Sequence, residues 1–196
     1  LEKLCSFEPS HLSFYGLTIE EGTLFSQWEA KNKVEFPEDY DVFYTEGVAL
    51  VESKGYLRYE VSNFAKEGFE SKHNRLYWNS VDYLGIGPGA HSFRSGVRFG
   101  NEKHLNKWLV QLEDVGLTKS TKEVLSEYDK ISEFIWLGLR QAKGVDLSFF
   151  EISKKDEILS KAELYMKSEM LTYLSGHLKV KGRGWLMIDQ IVVDLI

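Results

Sequence analysis

Between His73 and Phe93 the chain reads HNRLYWNSVDYLGIGPGAHSF, which puts two imidazoles (His73 and His91), the amide side chain of Asn74, the Tyr77–Trp78 pair and three glycines around Pro88 into one short span. Imidazole is the commonest protein metal ligand, and aromatic rings offer flat apolar contact. Together they suit a flat apolar ligand that also carries a metal. The glycines allow close backbone approach and can present N–H groups, as phosphate- and carboxylate-binding turns do. No Gly-Lys-Ser/Thr follows them and GxGxxG is not matched, so neither nucleotide fingerprint is present. The same residues admit a structural reading, in which Tyr77 and Trp78 are core and the glycines shape a turn. The residues alone leave both readings open.

Such a span needs elements to hold it. Residues 10–19, SHLSFYGLTI, read as an interior strand buried on both faces. Thr23 is placed to cap a helix to about Lys33, and Pro37 sits where the first turn of a second helix tolerates proline. That second helix, from Glu38 to Lys54, carries Phe43, Gly47, Leu50 and Val51 at helical spacing, and Gly55 ends it. Tyr56 to Ser62 then supplies a strand, and strand–helix–strand is the unit of parallel sheets. Residues 63–80 read as a long connection with little periodicity, and ligands gather at the C-terminal ends of strands in such layers. A third strand is expected at 82–86, before the glycine turn. Residues 94–100 suggest a hairpin or irregular loop, and Asn101 is placed to cap a helix with Leu105, Trp108, Leu109 and Leu112 on one face.

The character changes near residue 117, and a boundary is expected there. Ser126 with Asp129 matches a capping box, opening a helix that buries Ile131, Phe134, Ile135 and Leu139 before Gly144. Asp146 is placed to cap a short turn. A helix near 156–168, a turn at Ser175–Gly176, the LKVKG strand and a final helix over 184–196 complete a small helical, winged-helix-like module. The DNA-binding version of such a module wants a basic recognition face, and here that face is limited to Lys179, Lys181 and Arg183.

Composition narrows the classes. The chain has 196 residues, 43% of them hydrophobic, with a net charge of −6 and one cysteine. That is enough apolar content for a real core. The interspersed acidic and basic residues disfavour a phosphate-backbone binder, so no nucleic-acid partner is expected. No run approaches the ~18 apolar residues of a membrane span and no signal peptide is recognisable, so the expectation is a soluble cytoplasmic protein. Cys5 alone cannot build an iron–sulfur site. The start at Leu1, running directly into strand-like sequence, suggests a piece of a longer protein.

Three stretches in this order, YEVSNFAKEG (59–68), HNRLYW (73–78) and YLGIGPGAHSF (83–93), resemble the C-terminal half of the oxygen-independent coproporphyrinogen III oxidase-like radical SAM family, and within it the HemW-type haem chaperones. HLSFYGLTIEEGT (11–23) is similar to the preceding family strand, while EFIWLGLR (133–140) and LKVKGRGWLMIDQIV (178–192) resemble the small C-terminal domain. The resemblance implies an α/β fold: residues 1–116 as the C-terminal part of an open, partial TIM-like radical SAM barrel, and 117–196 as the small helical domain. It also implies a [4Fe–4S] cluster and S-adenosylmethionine in the intact parent, with the cluster-binding half absent here and this chain alone inactive.

HNRLYW fits the HN-x-x-YW pattern of the chaperone branch. The resemblance therefore implies haem binding by His73, Asn74, Tyr77 and Trp78, with His73 as candidate iron ligand, and a haem-acceptor protein as a possible partner. It implies an S-adenosylmethionine pocket lined by Gly16, Gly85, Gly87, Ala90 and His91. Glu60, the acid of the YE-x-SNFA stretch, is equally well placed for a hydrogen bond inside the barrel and for a structural role. Two rivals stand beside the chaperone: an oxidase decarboxylating coproporphyrinogen III, and a winged-helix interaction module without radical chemistry.

Overall fold

The structure is a computed structural model that describes residues 1–31, 33–34, 39–115 and 119–196. Its chain divides into two compact units, Leu1–Glu70 and Ser71–Ile196. Pro37, the start of the second helix at Glu38 and the boundary expected at 116/117 lie outside the described residues.

The first unit contains α1 (Glu2–Cys5), β1 (His11–Ser13), α2 (Leu24–Ala30), α3 (Tyr40–Ser53), β2 (Leu57–Glu60) and β3 (Asn63–Ala65). Thr23 caps α2 as its position predicts, its hydroxyl oxygen accepting the Ser26 N–H, but the helix ends at Ala30 rather than Lys33. The sheet order is β1-β3-β2, and both pairings are antiparallel. β1 and β2 therefore run the same way, as a strand–helix–strand unit requires, but β3 lies between them. The chain reverses directly after β2, and that local pairing closes a far shorter loop than the crossover through α3.

β1 is shorter than the expected strand over 10–19. Its partner β3 has only three residues, so the ladder stops at Ser13, and Tyr15 and Leu17 are exposed. α3 packs on β2 and buries Tyr44, Gly47, Val48 and Val51, while Phe64 and Ala65 of β3 are also buried. Tyr44 donates a 2.7 Å hydrogen bond to the Val61 carbonyl oxygen and stacks on Phe14 at 5.5 Å between ring centroids. Glu60 is buried here, one carboxylate oxygen accepting the Ser62 N–H at 3.1 Å.

The second unit contains α4 (Lys72–Trp78), β4 (His91–Arg94), β5 (Val97–Asn101), α5 (Leu105–Val115), β6 (Lys119–Val124), α6 (Glu127–Leu139), β7 (Val145–Asp146), α7 (Ile152–Lys167), β8 (Leu171–Leu174), β9 (His177–Val180) and α8 (Ile188–Leu195). Its two sheets, β4-β5-β6 and β7-β9-β8, are antiparallel throughout. The capping box at the head of α6 forms in full: the Ser126 hydroxyl accepts from the Asp129 N–H and the Asp129 carboxylate accepts from the Ser126 N–H. Ile135 and Leu139 of α6 are buried together with Ile158, Ala162, Leu171, Leu178, Ile188, Ile191 and Leu195, which form the core beneath the second sheet. Ser175 and Gly176, both at positive φ, form the tight β8–β9 turn, the geometry that matches the twist of a two-residue hairpin.

Three expectations are corrected from residue 63 onward. The span 63–80 is not an irregular connection: it holds β3 and the helix α4. Residues 82–86 do not form a strand; only Tyr83 pairs, exchanging backbone hydrogen bonds of 2.8 and 3.0 Å with Phe93 as an isolated bridge. Asn101 does not cap α5 but ends β5, with its side chain turned to the glycine-rich turn, and Glu102 instead accepts the His104 N–H. The apolar face expected on α5 exists, but Leu105, Leu109 and Leu112 are exposed on this unit.

Candidate functional site

α4 carries the motif residues, and its seven residues are too few to be stable alone. Two devices hold it. At the N-terminus the Ser71 hydroxyl oxygen accepts the Asn74 N–H at 3.2 Å. At the C-terminus buried Gln141, two residues past the end of α6, donates to the Trp78 carbonyl oxygen at 2.9 Å, and Lys143 donates to Asn79 Oδ1 at 2.6 Å. The helix is thus fixed to α6 at the end where its carbonyls lack helical partners.

Helical spacing then sorts the side chains. His73 and Tyr77, four residues apart, share one face, where His73 Nε2 and Tyr77 Oη lie 2.9 Å apart with the rings edge-on at 4.9 Å between centroids. Both are exposed. Tyr77 is in turn held by Tyr83, edge-on at 4.7 Å, and Tyr83 is fixed by its bridge to Phe93. Behind these rings Arg98 meets Glu133 at 2.7 Å and Glu123 at 3.3 Å. Burial opposes the Arg98 charge, but Glu133 and then Glu123 outweigh it and raise its pKa. Burial also pushes the Tyr83 phenol up, against the pull of Arg98.

Trp78 lies apart from that pair. It lines a cavity of about 300 Å³ with Phe134, Leu137, Gln141 and Phe149, so the Tyr–Trp dipeptide is split between an exposed face and a walled groove. Asn74 is half-buried, and its contribution here is the capped backbone amide.

The glycine-rich turn is bound inward. The Gly85 N–H donates to the hydroxyl of fully buried Ser92 at 2.9 Å, the Gly89 N–H to the Glu102 carbonyl at 2.9 Å, and the Ala90 N–H to the Gly87 carbonyl at 3.4 Å. Asn101 Nδ2 donates to the Gly87 carbonyl at 2.9 Å. A Cβ at Gly85 would overlap the His91 carbonyl oxygen, which explains glycine there by packing within the turn. Gly87 has φ of +105° with open space around it. His91 is exposed and pairs with Gly100 across the β4–β5 ladder. Gly16 belongs to the first unit, packed beneath the Tyr40 ring.

Sequence reasoning missed Tyr83, Asn101 and Gln141 as supports. Tyr83 sat within an expected strand and Asn101 at an expected cap, so their contacts carried no separate signal. Gln141 sits 63 residues from its partner Trp78.

The α/β fold matches part of a known one. A solved structure described as "Coproporphyrinogen III oxidase (HemN) from Escherichia coli is a Radical SAM enzyme" superposes over 99% of this chain and 49% of its own, with a TM-score of 0.70 at 18% identity. Sequence similarity is more particular. "Heme chaperone HemW" of Lactococcus lactis is 35% identical over 153 residues, covering 77% of this chain and 40% of that protein. The Mycobacterium tuberculosis protein of the same name is 30% identical over 189 residues, covering 95% of this chain and 47% of its own length. That of Haemophilus influenzae is 40% identical over 117 residues, 56% of this chain and 29% of its own. No family model matches the chain. In sequence the chain is HemW-like over the matched residues and in fold it matches that structure, in line with the family resemblance of the three sequence stretches. It spans less than half the length of these curated relatives.

Proposed function

We propose that this chain is the haem-binding, C-terminal portion of a haem chaperone, which takes haem as cargo and passes it to an acceptor protein. The observation that carries the reading is the pairing of His73 and Tyr77 on one exposed, anchored helix face, in a chain 30–40% identical to proteins named heme chaperones. A neutral imidazole is a natural haem-iron ligand, and an exposed phenol ring beside it offers a face to the porphyrin. His73 is assigned the iron and Tyr77 the macrocycle. Trp78 packs the helix against its groove, and Asn74 holds the helix start.

The [4Fe–4S] cluster and S-adenosylmethionine belong to the same proposal for the intact parent, not to this chain's own donors. Among the described residues no group of three His, Cys, Asp or Glu side chains could hold a metal ion, and the single cysteine, Cys5, is buried. These residues do not fit a cluster. Gly16, Gly85, Gly87, Ala90 and His91 keep an S-adenosylmethionine role as part of that proposal. At Gly85 and Ala90 the contribution is lack of bulk, because both amides are engaged within the turn. The small helical, winged-helix-like domain and the partial barrel are likewise proposed for the parent. So is a soluble state: among the described residues no helix is long and apolar enough to cross a membrane.

A second reading is favoured by the structural match to the oxidase: the parent would decarboxylate coproporphyrinogen III. The test uses the intact parent, reconstituted anaerobically, in a haem titration followed by absorbance with a parallel coproporphyrinogen III turnover assay. Stoichiometric haem uptake without turnover supports the chaperone. Turnover without specific uptake assigns the oxidase.

A further inference from the structure

We infer that Tyr77 is a positioning residue for His73: it accepts the Nε2–H of the imidazole and so leaves Nδ1 as the nitrogen that binds iron. This rests on the haem-binding reading above. A neutral imidazole has one donor nitrogen and one acceptor nitrogen, so whichever hydrogen bond one nitrogen makes decides what the other can do. Nε2 lies 2.9 Å from Tyr77 Oη. If the phenol donated to Nε2, the proton would sit on Nδ1 and neither nitrogen would offer a lone pair without breaking that bond. If Nε2 donates to the phenol oxygen, Nδ1 carries the lone pair and the bond survives metal binding.

The second arrangement is the one a ligating histidine uses elsewhere, its other ring N–H held by an outer oxygen that fixes the tautomer and raises basicity. Here the outer oxygen is itself held in place. The Tyr77 ring is pinned edge-on at 4.7 Å by Tyr83, and Tyr83 is tied by two backbone hydrogen bonds to Phe93 on β4. The ring contact between His73 and Tyr77 is also edge-on, with an interplanar angle of 87°. The arrangement therefore aims the imidazole by its hydrogen bond to Tyr77.

The experiment reads the tautomer of His73 by ¹⁵N NMR of the full chain at neutral pH, for the wild type and for Tyr77→Phe, which keeps the ring and removes the oxygen. The Nε2–H tautomer in the wild type, and a shift toward a mixture in Y77F, are the expected results. An Nδ1–H tautomer in the wild type, or no change in Y77F, overturns the inference whether or not haem binds. Ferric haem titrations on the intact protein supply the second arm. Y77F is expected to weaken binding about 10-fold or more, within the 10–100-fold range of outer partners of metal ligands, and to have no further effect in a His73→Ala background. Equal weakening in both backgrounds would show that the Tyr77 hydroxyl acts independently of His73, which also overturns the inference. Loss of the haem-binding reading looks different: His73→Ala would then leave haem affinity unchanged while the tautomer result stands.

Discussion

Gln141 and Trp78 are joined across 63 positions of sequence by a 2.9 Å hydrogen bond from the buried Gln141 side-chain amide to the Trp78 backbone carbonyl. That single contact ties the last turn of the motif helix α4 to the C-terminal end of α6. With the Ser71 cap and the Lys143–Asn79 bond, it converts a helix too short to persist alone into a fixed platform for His73 and Tyr77.

Replacing Gln141 with Leu removes the donor while keeping similar bulk, and it leaves the Trp78 carbonyl without that partner. The expected loss is about 1–2 kcal/mol of stability, the range for a buried hydrogen-bonding group left unpaired. Hydrogen exchange of the amides at 75–78 should accelerate more than that of α7 or α8. Unchanged protection in α4 would show that the anchor is not what orders it.

His73→Ala in the intact protein should weaken ferric haem binding by more than about tenfold, since the proposed axial ligand is lost outright. Folding stability should change by less than about 0.5 kcal/mol, because the side chain is exposed. Absorbance titration and thermal unfolding check the two halves of the statement separately.

Gly85 and Gly87 sit two residues apart but should respond differently to alanine. At Gly85 the new Cβ meets the His91 carbonyl oxygen of the backbone, which cannot swing away, so a loss of about 1–3 kcal/mol is expected. At Gly87 nothing lies within 4 Å and only the positive φ is strained, so the loss should be about 1 kcal/mol. Denaturant midpoints of the two variants give the order directly.

Ser126→Ala should cost about 1 kcal/mol at neutral pH through loss of the α6 cap. The Ser126 hydroxyl and N–H also hold the Asp129 carboxyl below its ordinary value of 3.8. A lowered folded-state pKa stabilises the fold above the unfolded value, and that contribution is lost as pH falls through the folded one. The gap in Tm between wild type and S126A should therefore narrow, without vanishing, as pH drops below about 4. A gap that widens in acid would contradict the assignment.

Much of the architecture was legible from local pattern. α3, α6 with its capping box and the tight turn at Ser175–Gly176 each announce themselves by periodicity, cap chemistry or turn residues within a few positions. The motif stretches, by their order and spacing, pointed to the HemW branch that the sequence comparisons then showed. The strands of the first unit were less legible. The residues of 10–19 suit a strand, but three ladder positions on β3 decide where pairing stops.

By itself the sequence determined which residues have the chemistry and which segments prefer helix or turn, because those preferences are set by neighbours along the chain. Tertiary structure decided the rest: that HNRLYW is a helix, that His73 faces Tyr77 while Trp78 turns into a groove, that β3 separates β1 from β2, and that Asn101 latches the glycine turn. Each of these depends on a partner distant in sequence or on a choice between two competent hydrogen-bond acceptors. The energy that settles such a choice resides in the contact, which exists only once the chain has folded.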